Sequence, residues 1–391
     1  MKLLLLDPGL STRSGHNAAT LEEVAAHALA SGTIELTCAS AISLDPANFG
    51  GIACTWRPVF RLHGYSRFLN DSDSHEALLR RLTALCMEDL RQLDLAGYDL
   101  VLMPTAYPIH LAALSMCVQQ LPALRLRVGL LMPPTFWACD AQAAAWLEQL
   151  THGAIDALRA QPGVWLYSET GHYGAGAATV PTATLLPPIA AGTRDWLLDQ
   201  LARQQALDDR PADRPVVFGY FGDPSTRKGF ELLMHCVQNG LPAGMRLSFI
   251  LPEGHHALAA RLDGCGTAVS ARTLGAGNIP YLKAMRDVDV VLAFYDPAVY
   301  RRQMSGIVAD ALCLGKPVLT AEGCEAILAF GTREAAGALH CRPADADGLL
   351  QGLGTPWTAW RAHRRAALAS AHRVLELKRM ERHLDTGDRE A

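Results

Sequence analysis

The sequence has ten cysteines but no close pair of them: no two stand nearer to each other than Cys313 and Cys324. Zinc ribbons and dithiol redox motifs need ligands about two to four residues apart, so neither is expected. Cys86, Cys117 and Cys313 lie among apolar neighbours and read as reduced core residues. A long apolar run is missing too. Met1-Lys2 followed by Leu3 to Leu6 starts like a leader, but Asp7 and Pro8 stop it far short. No other stretch reaches about 18 apolar residues without a charge or a proline. The cytoplasm is therefore the expected site of action, with peripheral contact at a membrane face left open. Nor is positive charge in excess. A formal net charge of −4 gives the molecule no field to gather nucleic acid, although a local basic pocket for phosphate is compatible with it.

What is present is a globular composition, half hydrophobic with 19% charged residues, in a chain of 391 residues. That length exceeds one ordinary core and points to two domains. Short apolar runs alternate with helical patterns. Lys2–Leu6, 34–39, 99–103, 127–132 and 164–167 read as strands, with helices over 17–30 and 74–93. Residues 41–70 show no period and read as an irregular excursion holding Trp56, Arg57 and Tyr65. The alternation pauses at the proline-rich stretch 208–215 and restarts with strands at 216–221, 246–251, 289–294 and 317–320. Continuous apolar strands between helices imply parallel sheets covered on both faces. The expected organisation is an N-terminal domain over 1–190, a linker over 191–214, a second domain over 215–356, and an arginine-rich helical tail over 357–391. That tail reads as a solvated helix, or as one that crosses back to brace the first lobe.

Three segments of the second half carry chemistry. In Gly219 to Phe230 a strand ends, Gly222 lets the backbone turn, and Arg227-Lys228 precede a helix; free N–H groups and two cations there suit a diphosphate. The strand ending at Phe294-Tyr295 brings the next segment to the carboxyl edge of the sheet, where open α/β folds bind ligands. There Ser305-Gly306 opens a helix whose positive end can face an anion. Asp310 follows one turn later, placed to accept ribose hydroxyls, and Gly315-Lys316-Pro317 end the helix.

These segments resemble the donor lobe of GT-B glycosyltransferases, especially family 4 and its relatives, over about residues 215–330. The resemblance implies two Rossmann-like, doubly wound parallel-sheet domains facing a central cleft, with a C-terminal helix bracing the first lobe. It implies a metal-independent glycosyl transfer, with retention of configuration, from a nucleotide diphosphate sugar (UDP- or GDP-linked) to a glycan, lipid-linked glycan, protein or small-molecule acceptor. The donor would be a substrate, with no tightly bound cofactor. The residues carried over are Arg227 and Lys228 for the diphosphate, Asp310 for the ribose, and Gly222, Tyr295, Arg302, Ser305 and Gly306 around them. One position departs: Arg302, eight before Asp310 (310 − 302), stands where the family has a glutamate. In the first half, His16 in a glycine loop and His110 after a strand are the catalytic candidates, His16 as a general base if the enzyme inverts. His255-His256 have no third ligand at useful spacing and no acidic metal motif follows a strand, so no metal is expected. Two rival readings stay open: a non-hydrolysing nucleotide-sugar epimerase, and a degenerate, non-catalytic GT-B subunit that binds a partner.

Overall fold

The computed structural model describes residues 1–13, 15–66, 75–174, 179–205, 214–275 and 277–384. The chain divides into two units, one formed by Met1–Ala190 with the residues from Arg379 onward, the other by Ala191–Lys378.

In the first unit the strands are β1 (Lys2–Asp7), β2 (Glu35–Ala41), β3 (Thr55–Phe60), β4 (Leu100–Met103), β5 (Leu126–Gly129), β6 (Val164–Ser168), the short β7 (His172–Tyr173) and β8 (Val180–Pro181), and β9 (Ala183–Thr184). The helices between them are α1 (Gly15–Ser31), α2 (His75–Arg91), α3 (Pro108–Val118) and α4 (Ala141–Arg159). The main sheet runs β3-β2-β1-β4-β5-β6-β9, and β7 and β8 pair apart from it. Every ladder of the main sheet is parallel. Leu3 to Leu6 are at most 1% exposed, because a central parallel strand is covered on both faces.

The second unit begins with α5 (Ala191–Gln205) and continues through β10 (Val216–Phe221), α6 (Phe230–Asn239), β11 (Met245–Pro252), α7 (His256–Asp263), β12 (Val269–Leu274), α8 (Asn278–Arg286), β13 (Val290–Ala293), α9 (Pro297–Tyr300), α10 (Gly306–Cys313), β14 (Val318–Ala321), α11 (Glu325–Glu334), β15 (Leu339–Arg342), α12 (Ala346–Leu353) and α13 (Trp357–Glu376). Its sheet, β12-β11-β10-β13-β14-β15, is also wholly parallel. In both sheets the order reverses beside the first strand, between β1 and β4 and between β10 and β13. Such a switch point leaves the loops at the strand ends free to diverge and hold a ligand.

Three expectations change. The stretch 41–70 contains β3, an edge strand whose alternation Pro58 interrupts; an edge tolerates proline because that side needs no donor. Residues 191–205, expected as linker, are helix α5 of the second unit, while 206–213 lie outside the described residues. Helix α13 is no solvated tail: Trp357, Trp360, Ala367, Ala371 and Val374 are buried, and it packs on α5, α10 and α11. The C-terminal element of the first unit is the short α14 (Met380–Leu384), where His383 Nε2 lies 3.0 Å from the Leu186 carbonyl and its ring meets Tyr167 edge-on.

Candidate functional site

At the switch point of the second sheet, β10 ends and Gly222 turns the chain at φ +100°, a conformation glycine adopts without strain. The close approach matters as much as the angle. A Cβ at Gly222 would fall 2.5 Å from Lys228 Nζ and 3.6 Å from Ile307 Cδ1. The missing side chain thus makes room for the lysine and brings it beside the start of α10. A short turn, Thr226–Lys228, ends at Gly229 (φ +71°), where a Cβ would meet the Phe294 carbonyl. Asp296 N–H donates to the Arg227 carbonyl at 3.0 Å, fastening this loop to the one after β13.

The anion-binding character is local. Lys228 Nζ has no hydrogen bond or ion pair among the described residues. Burial, reinforced by Arg227 and opposed by Asp223, lowers its pKa to about 8. The neighbouring Ser225 Oγ is buried and has no hydrogen-bond partner among the described residues. Helix α10 begins after Ser305, an N-cap in extended conformation whose side chain does not cap the helix; Ser305 Oγ donates instead to Tyr295 Oη at 3.2 Å. The first N–H groups, of Gly306 and Ile307, have no acceptor in the helix, and Gly306 is exposed. Tyr295 stacks on Tyr300 at 4.3 Å and is buried, so it shapes the turn from below. Arg227 and Arg302 are exposed.

Asp310 is partly buried, and Lys378 Nζ donates to its Oδ1 at 2.5 Å. Half-buried Tyr281 lies near enough for the Asp310 charge to add to desolvation in raising its phenol. The structure therefore gathers Gly222, Lys228, Ser305 and Gly306 around one edge of the sheet, with Asp310 one turn along α10. Sequence reasoning gave no role to Ser225, although it lies in the Gly219 to Phe230 segment, or to Tyr281, and it missed Lys378, which lies in no motif and is 68 residues from its partner.

The first unit has a polar cluster at its own switch point. Asp7 closes β1 and is 1% exposed, and Asn17 and Tyr107 are buried beside it. Gly15 (φ +76°) and His16 open α1 rather than lie in a loop, and His16 Nε2 is 2.9 Å from Tyr65 Oη. Burial raises the Asp7 carboxyl to about 7 against hydrogen bonds from Asn17, Gly9 and Tyr107 that pull it down. His110 is placed otherwise than expected. It is 3% exposed on α3, its Nε2–H donates to the Leu62 carbonyl at 2.9 Å, and burial lowers it to about 4. It is a neutral, buried ring packed edge-on against Phe60 and Tyr107. Elsewhere His75, Cys139 and Asp140 offer ligand atoms within 4.8 Å of one another. Asp140 caps α4 and His75 opens α2, so two positive helix ends oppose a cation there.

No family profile matches the chain, and no curated protein does. Solved structures match over nearly the whole length. Anabaena HepE, solved in complex with UDP, is 15% identical, with 97% of each chain covered and a TM-score of 0.55. The spinosyn rhamnosyltransferase SpnG is 17% identical, covering 95% of this chain and 96% of that one at a TM-score of 0.54. UDP-GlcNAc 2-epimerase from Neisseria meningitidis, bound to UDP-GlcNAc, is 12% identical, covering 98% and 99% at 0.50. At these identities the likeness establishes the fold: the chain has the two-unit Rossmann-like GT-B fold of glycosyltransferases.

Proposed function

We propose that the protein is a glycosyltransferase that takes a nucleotide diphosphate sugar as donor and binds its nucleotide in the second unit. One observation carries the reading: a half-buried lysine with no ion pair among the described residues stands over a glycine turn, beside a helix N-terminus whose first N–H groups have no acceptor in the helix. An ammonium partly withdrawn from water without a counter-charge is costly until an anion completes it, and a diphosphate fits both donors. Lys228 and the Gly306 and Ile307 N–H groups would hold the diphosphate and stabilise the charge that develops on it as the sugar leaves. Arg227 and Arg302 would screen it from the solvent side. Asp310, its Oδ1 held by Lys378, would present Oδ2 to the ribose hydroxyls. UDP and GDP are the favoured carriers, and UDP stands in the HepE complex.

In the first unit, His16 is the candidate base for an acceptor hydroxyl, which corresponds to inversion. Retention would lean on the family carboxylate that Arg302 replaces. Calorimetry tests the donor site: Asp310→Ala and Lys228→Met should each weaken UDP or GDP binding about 10-fold or more, as loss of a charge-assisted hydrogen bond implies. Unchanged affinity in both variants sinks the assignment. Incubation with a panel of labelled donors then separates transfer or donor hydrolysis from C2 inversion, which would mean an epimerase. Silence without nucleotide binding would mean a non-catalytic subunit.

A further inference from the structure

We propose that His75, Cys139 and Asp140 form a binding site for one Zn²⁺ ion, with a fourth position left to water or a ligand oxygen. The three side chains come from two places in the first unit. His75 opens α2, and Cys139 and Asp140 stand immediately before α4. Cys139 Sγ lies 3.5 Å from Asp140 Oδ2, and His75 Nε2 lies 3.6 Å from the same oxygen. One ligand atom from each residue falls within 4.8 Å of the other two. Tetrahedral bonds of about 2.0–2.1 Å to nitrogen, 2.0–2.2 Å to oxygen and 2.3 Å to sulfur set ligand atoms roughly 3.3–3.6 Å apart. Two edges of such a tetrahedron are therefore already near their length. The expectation of no metal rests on motifs inside single segments, and this group joins two.

The backbone holds these donors in place. Asp140 is the N-cap of α4, and its Oδ1 accepts the Ala143 N–H at 2.7 Å, which leaves Oδ2 for the ion. Trp137 Nε1–H donates to the Gly64 carbonyl at 2.7 Å, fastening the loop before Cys139 to the stretch after β3. Helices α2 and α4 both pack on α3, which fixes their starts relative to each other. Cys139 and Asp140 are exposed, so an ion reaches them from solvent. The donors also choose the ion. Thiolate and imidazole suit Zn²⁺ and its relatives, whereas Mg²⁺ and Ca²⁺ take oxygen. The two positive helix ends sharpen that choice. They oppose an ion held by charge alone, but Zn²⁺ bound by a thiolate and a carboxylate is formally neutral. The thiol proton leaves to solvent as the metal–sulfur bond forms. Three protein ligands leave one position open, and it lies at the carboxyl edge of the first sheet, where open α/β folds bind ligands.

The test titrates the reduced, chelator-treated full chain with Co²⁺, whose spectrum reports its ligands. The parent protein should bind about one equivalent, with the intense visible bands of four-coordinate cobalt and a near-ultraviolet sulfur-to-cobalt band. Zn²⁺ should bleach both, and Mg²⁺ neither. Cys139→Ser should lose the sulfur band, while Cys265→Ser, at an exposed cysteine elsewhere, should keep it. Asp140→Asn separates the ion from the helix cap, since asparagine caps as well as aspartate but brings no charge. That variant should melt close to the parent without metal. Its zinc affinity should fall by about 10- to 100-fold or more, the loss that even outer partners of a ligand cause. Zinc should raise the melting temperature of the parent and not of this variant. A sulfur band that survives Cys139→Ser, zinc affinity unmoved by Asp140→Asn, or a parent protein that binds no cobalt overturns the proposal. No residue is shared with the proposed donor site, so none of these outcomes bears on the transfer reading.

Discussion

Lys228 gives the donor site its pH dependence. Its folded pKa is lowered to about 8, so the ammonium is full below that value and lost above it. A bound diphosphate favours the charged form and raises the pKa, so binding takes up a proton once the pH passes about 8. Affinity for UDP or GDP should fall as the pH rises above 8, by up to roughly 10-fold per unit, since one proton is coupled to binding. Calorimetry in buffers of different ionisation heat reads the proton directly, and Lys228→Met should abolish the dependence. Gly222→Ala should weaken binding comparably, because its methyl group would claim the position of the lysine Nζ; a variant with parental affinity would refute that account. At this scale the sequence made visible whatever lay within a motif. Gly222, Lys228 and Ser305-Gly306 were legible because one loop and one helix start define them. Asp7 was not, since a carboxylate ending an apolar run looks the same whether it faces water or three buried donors.

Among the elements, α10 presents its N-terminus to the site, and its other end is fixed by two devices. Gly315 turns at φ +64°, and a Cβ there would fall 2.4 Å from Leu368 Cδ2 of α13. Lys316, 6% exposed, donates to the Arg286 carbonyl at 2.6 Å and the Val288 carbonyl at 2.8 Å, tying the end of α8 to the start of β14. Lys316→Met would leave both carbonyls without this donor. It should cost about 2–3 kcal/mol in urea unfolding, the usual loss for buried groups deprived of a charged partner; a change under about 0.5 kcal/mol would count against that role. The 3.6-residue and continuous-run patterns identified most helices and strands here. They failed at β3, where Pro58 hides the alternation, and at α13, whose arginines disguise a buried face. Arg364 shows how: only 8% exposed, it sits over the Trp357 ring, its charge met by π-density rather than water.

For the whole molecule, nucleotide binding by the second unit has a spatial signature. Hydrogen exchange with saturating UDP or GDP should gain protection at 222–229 and 305–310, and leave the Asp7–Asn17 region unchanged. Protection confined to the first unit would reverse the assignment of the donor. The two-unit α/β plan was readable because the strand–helix alternation runs twice through the sequence. The order of strands was not, since pairing β1 with β4 or β10 with β13 joins residues far apart in the chain. The last helix adds a constraint of another kind. Met380 and Leu384 belong to the same apolar cluster as Leu3 and Leu5. A ribosome must therefore deliver the chain as far as Leu384 before the unit that holds Leu3 can close, whereas 191–378 are complete earlier. Of the two units, the one that starts earlier is finished later, and its unsealed surface is what a chaperone would meet on the nascent chain.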